Sequence, residues 1–127
     1  MTKLHEIDGL SAADVMHRHV TTLPASATVG ELREYLGASG SRRLAILVEG
    51  ERYVASIPGA EVPADADPGQ RAVDLAIEVP TIGPDASAEE ARDLALSLPT
   101  RRVPVVDDAG ALLGIVAIDE RHTRFCG

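Results

Sequence analysis

Two pairs of adjacent arginines, Arg42-Arg43 and Arg101-Arg102, stand about 59 residues apart, each just ahead of a β-prone run. Guanidinium groups fixed at the start of a strand can clamp phosphate oxygens through bidentate hydrogen bonds. In a chain of net charge −8, an anionic ligand needs such a local reversal of sign. The alternative is that these arginines cover strand edges or pair with Glu31, Glu90 or the acids of the 63–69 linker, exposed contacts worth little. Two glutamates, Glu61 and Glu120, recur at the same interval, where a last helix would begin and an acid favours the helix dipole.

Other residues with chemical potential form no constellation. His17 and His19 point the same way only on a strand, and with the distant His122 they lack partners at metal-ligand spacing, so no metal is expected. Asp107-Asp108 and Asp65-x-Asp67 read as turn and linker residues, since no calcium-loop pattern surrounds them. Cys126, the single cysteine, excludes an internal disulfide and is expected in a loosely held terminus. No nucleophile and base pairing, phosphate-cradling loop or catalytic carboxylate pair is present, so the chain is read as no enzyme. The acidic balance and the lack of a basic stripe with interleaved aromatics argue against nucleic acid. No apolar run reaches the roughly 18 residues of a membrane helix and the first residues lack a signal-peptide core, so a cytoplasmic protein without direct membrane insertion is expected.

The elements that must position these residues come twice. Val20–Glu61 slides onto Val79–Glu120 without a gap, pairing Thr22 with Thr81, Ala27 with Ala86, Glu31 with Glu90 and Arg33 with Arg92. Each half of about 60 residues is marginal alone, so the halves should share a core around a pseudo-twofold axis. With only Tyr35, Tyr53 and Phe125 as aromatics, that core must come from Ala, Val, Leu and Ile. In the first half Ser11 can cap a short helix through Met16, and His19–Leu23 is a short strand. A longer helix follows, opened by Thr28 and Glu31 at capping-box spacing, with Val29, Leu32 and Leu36 on one face. Strands 43–48 and 53–57 close the half. The second half gives a helix over 73–77, a strand over 79–82, a helix capped by Ser87, and a hairpin of strands 103–106 and 112–116. Pro63–Gly69 is the linker. The fold class is therefore α/β (α+β), two α-β-α-β-β repeats, with an arm over 1–9, repeats over 10–62 and 70–122, a linker over 63–69 and a tail over 123–127.

This order of elements, with Asp14-Val15-Met16 and Val20–Leu23 in the first half and Arg101–Asp107 followed by Gly110–Ala117 in the second, resembles the CBS domain, and two in tandem resemble a Bateman module. The resemblance covers about Leu10 to Arg121. It implies sensing rather than catalysis: clefts between the paired repeats that hold adenine nucleotides or S-adenosyl compounds, and a flat homodimer of two modules.

In the family's nucleotide motif the last strand ends with Gly, two apolar residues, a Ser or Thr, then two residues and an Asp. Here the hydroxyl positions carry Pro58 and Ala117, and the carboxylate positions carry Glu61 and Glu120, one methylene longer. The resemblance places the adenine end on Val20, Thr21 and Thr22 with Leu44 and Ala45, and on Val79, Pro80 and Thr81 with Val103 and Pro104. Arg42, Arg43, Arg101 and Arg102 complete the candidate set. The expected ligand is AMP, ADP, ATP or S-adenosylmethionine, with no required cofactor and an unknown regulated partner. The competing reading is a structural dimerisation module that has lost its ligand, such as the cytosolic part of a channel, transporter or enzyme.

Overall fold

Helix and strand starts follow the local signals in the sequence. The computed structural model describes residues 2–40 and 42–126, so Met1 of the arm and Gly127 of the tail lie outside the described residues. Helix α1 (Ala12–Val15) opens where the Asp14 carboxylate accepts hydrogen bonds from the Ser11 backbone N–H at 2.8 Å and the Ser11 hydroxyl at 3.1 Å. Helix α2 (Val29–Gly37) starts with the expected capping box: the Glu31 N–H donates to Thr28 Oγ1 at 3.2 Å, and the Thr28 N–H donates to Glu31 Oε1 at 3.1 Å. Helix α3 (Ala88–Leu96) is capped by Ser87, whose Oγ accepts from the Glu90 N–H at 3.1 Å.

The chain forms two compact units, one of residues 21–79 and the other of residues 1–20 with 80–127. The units cut across the repeats read from the sequence. In the 21–79 unit, strand β1 (Leu23–Pro24) runs parallel to β2 (Leu44–Glu49), which pairs antiparallel with β3 (Arg52–Pro58). The strand expected over 19–23 shrinks to two residues. The helix expected over 73–77 is a 3-10 turn, Ala72–Leu75, and it lies in this unit. Its Ala72 N–H donates to the Ala27 carbonyl, and Ser56 on β3 bridges to Ile77. The core here is Ala27, Leu32, Ala45, Leu47, Ile57 and Ala72. The linker is irregular but anchored: the Pro68 and Gln70 carbonyls accept from the Gly30 and Val29 amides, and Arg33 donates to the Pro63 and Ala64 carbonyls. The bonds from the Val29 and Gly30 amides satisfy donors at the start of α2 that have no partner inside the helix.

The other unit repeats the plan with the opposite end of the chain. Strands β4 (Arg102–Val106) and β5 (Leu112–Ala117) form an antiparallel hairpin, and the strand expected over 79–82 reduces to one bridge, Ile82 to Val105. Helix α1 packs on α3 and β5, and the chain after it pairs His17 with Ile115 through two backbone hydrogen bonds of 2.8 and 3.0 Å. That approach is possible because residue 114 is glycine; a Cβ there would stand 2.6 Å from the His17 carbonyl oxygen and 2.8 Å from Met16 Sδ. Alanines at 88, 91 and 95 form the buried face of α3 and let the helix sit close to its neighbours.

Both termini belong to this unit, contrary to the loose tail the sequence suggests. Ile7 and Phe125 are each 2% exposed and share one core with Ala12, Val15, Val103, Val105, Val116 and Ile118. The Cys126 N–H donates to the Ala117 carbonyl at 2.7 Å, the Phe125 N–H to Thr2, and the Leu4 N–H to Thr123. The only phenylalanine thus adds an aromatic to a core otherwise built from aliphatic residues.

Candidate functional site

Within the 21–79 unit, the β2–β3 hairpin gathers much of the first candidate set at one end. Leu44 and Ala45 are buried in β2, Leu44 pairs with Pro58, and the Gly59 N–H donates to the Arg43 carbonyl at 2.9 Å. Glu61 is exposed and closes a short 3-10 turn, Gly59–Glu61, two residues beyond this crossing. It does not begin a longer helix, because the chain turns at Val62 into the Pro63–Gly69 linker.

Arg42 is committed to a residue the sequence reading passed over. Its guanidinium lies 4.3 Å from the centre of the Tyr35 ring and donates to the Tyr35 carbonyl at 3.0 Å. The Tyr35 hydroxyl in turn donates to the Thr21 carbonyl at 3.0 Å. Partial burial pushes the Tyr35 phenol up from its ordinary range, and the nearby Arg42 charge opposes that shift. Thr21, Tyr35 and Arg42 therefore form one connected chain of contacts, while Thr22 is half-buried beside it in sequence. The available signal was weak: Tyr35 is one of three aromatics and lies seven residues ahead of Arg42, with a predicted helix end between them.

In the other unit Val103 and Pro104 are buried in β4, and Pro80 and Thr81 are exposed. Arg101 adopts a left-handed backbone, φ 54°, and its Nε donates to the Ile118 carbonyl at 3.3 Å, while the Ile118 N–H donates to the Arg101 carbonyl at 3.1 Å. Arg102 donates to the Thr100 carbonyl at 2.7 Å. The position equivalent to Tyr35 is Leu94, so the aromatic platform has no counterpart here. Val20 and Val79 fall at the junctions where the chain passes from one unit to the other.

Glu120 does not start a helix either. After β5 the chain makes a turn built on Asp119, whose carboxylate accepts from the Thr123 N–H at 2.7 Å, the Thr123 hydroxyl at 2.8 Å and the Arg124 N–H at 3.2 Å. These bonds, the Thr123 N–H first among them, hold the Asp119 carboxyl below the usual carboxylate range. His122 takes the left-handed conformation, φ 57°, that lets the chain double back to Phe125. Among the described residues, no group of three or more His, Cys, Asp or Glu side chains is placed to hold a metal. The His17 and His19 rings meet edge to face, 6.2 Å apart.

Residues 12–57 and 73–120 each match the family model of the CBS domain. The chain belongs to the CBS-domain family. Its two CBS repeats are 26% identical, over 118 residues, to inosine-5'-monophosphate dehydrogenase of Methanocaldococcus jannaschii; the match covers 91% of this chain and spans about a quarter (24%) of that enzyme. CBSX2 from Arabidopsis thaliana, a CBS-pair protein, superposes with a TM-score of 0.72 at 20% identity, covering 84% of this chain and 87% of that one. CBSX2 in complex with AMP gives 0.73 at 22% identity, covering 86% and 90%. The cytosolic domain of the Mg2+ channel MgtE in complex with ATP gives 0.72 at 22% identity, covering 90% of this chain and 48% of that one. At these identities the likeness establishes the CBS-pair fold and nothing finer. Among the described residues no helix is long and apolar enough to cross a membrane.

Proposed function

We propose that this CBS pair is a non-catalytic regulatory module that binds an adenine nucleotide or an S-adenosyl compound and changes the conformation or assembly of a partner. The observation that supports the reading is the end of the β2–β3 hairpin, where Leu44 pairs with Pro58, the Gly59 N–H donates to the Arg43 carbonyl and exposed Glu61 follows two residues on in the same unit. An apolar wall supports a base, guanidinium groups suit phosphate, and a carboxylate accepts from a ribose diol. AMP and ATP complexes of CBS-pair relatives support the ligand class. Only differential affinity for two states lets such a ligand regulate.

A second reading, a dimerisation module without ligand, draws on the missing hydroxyls at Pro58 and Ala117 and on the Tyr35 hydroxyl that already engages the Thr21 carbonyl. Isothermal titration with AMP, ADP, ATP and S-adenosylmethionine decides between them. Micromolar binding that disappears in Glu61→Ala/Glu120→Ala is the expected result for the sensor. Absence of heat from all four ligands, together with a stable dimer in sedimentation, sinks the sensor and favours the second reading.

A further inference from the structure

The turn on Asp119 and the N-terminal arm enclose an open hollow of about 690 Å³ lined by Lys3, Leu4, His5, Asp119, Arg121, His122, Thr123 and Arg124. Three of the lining residues are permanent cations and two are imidazoles, in a chain of net charge −8. The walls are held in place. Arg92 on α3 donates to the Leu4 carbonyl at 3.1 Å, the backbones of Lys3 and Arg124 pair in an isolated antiparallel β-bridge, and Ile7 and Phe125 anchor the two segments in the core.

The acids nearby leave the cations largely unsatisfied. Asp119 keeps its negative charge, but its carboxylate oxygens accept from the turn itself and it forms no ion pair with Lys3, Arg121 or Arg124 among the described residues. Glu6 stands 3.8 Å from Lys3 Nζ and from His5 Nε2, and exposed pairs at that distance contribute little. Neither the Arg121 nor the Arg124 guanidinium has a hydrogen-bond or ion-pair partner among the described residues. Like charges fixed on anchored backbone repel one another, and a multivalent anion relieves that repulsion while supplying acceptors for both forks.

We infer that this hollow is a binding site for a phosphate-bearing anion, with Arg121, Arg124 and Lys3 as its ligating residues. It is built from residues outside the candidate CBS ligand set and stands whether or not that set binds a nucleotide. The probe is inorganic tripolyphosphate, titrated into the full chain at low and at physiological ionic strength by calorimetry and by amide chemical shifts. Saturable binding, shifts at Leu4, Thr123 and Arg124, and at least tenfold weakening in Arg121→Gln/Arg124→Gln are the expected results. Both substituted terminal side chains are exposed, and the wild-type amide shifts give an independent reading should the variant lose its fold. Shifts at Leu4, Thr123 and Arg124 that survive the terminal double substitution, or no saturable binding, overturn the site. A parallel titration with ATP separates the sources: an Arg121/Arg124-dependent gain over tripolyphosphate identifies a nucleotide ligand, and equal affinity identifies the phosphate chain as the whole determinant.

Discussion

Gly114 shows how one residue decides whether a segment can dock. Its missing side chain lets the His17 backbone pair with Ile115, and an added Cβ would lie 2.6 Å from a carbonyl oxygen. Gly114→Ala should therefore destabilise by about 1–3 kcal/mol, the usual cost of overpacking, through loss of the α1 contact. Chemical denaturation checks the size, and protection of the His17 and Ile115 amides from exchange should fall with it. An unchanged midpoint would mean that α1 moves away without cost. At this scale the sequence was legible where the signal is local: Thr28, Ser87 and Ser11 all sit at helix starts as expected. Tyr35 was not legible, because its partners Thr21 and Arg42 flank a whole helix and meet only when β1 and β2 lie side by side.

The elements respond to acid through their caps and turns. Hydrogen bonds from Ser11 depress the Asp14 carboxyl, and those from Thr123 and Arg124 depress that of Asp119. A carboxyl with a lowered folded-state value contributes its stability above the unfolded value, about 3.9, and loses it as pH falls through the folded value. Wild-type stability should thus decline on acidification below about pH 4, and Asp119→Asn should be less stable at neutral pH with a shallower decline. Denaturation midpoints at a series of pH values test this, and parallel curves for the two proteins would contradict it. The short elements also explain a missed boundary. The strand expected over 79–82 keeps one bridge to Val105, since the Ile82 N–H and carbonyl engage Pro104 and Val106 and exposed Pro80 has no donor of its own.

The whole molecule sets the limits of any fragment. The compact unit 21–79 contains the Ala72–Leu75 turn and its Ala27 contact, whereas a fragment cut at the sequence repeat 10–62 loses both. Fragment 21–79 should show more dispersed amide resonances and more exchange protection than fragment 10–62; equal disorder or the reverse order would count against the unit as a cooperative piece. Phe125→Ala should cost about 3–5 kcal/mol, since the ring is buried among Ile7, Val116 and Ile118. By itself the sequence determined the CBS fold, the duplicated order of elements, the helix starts and the hairpins, because hydrophobic period and capping chemistry act over a few residues. Only the tertiary structure decided that α1 packs with the second half, that the 72–75 turn packs with the first, and that both termini enter one core. Those choices depend on contacts between residues far apart in the chain, such as Ala12 with Ala86 and Thr2 with Phe125, for which no local pattern exists.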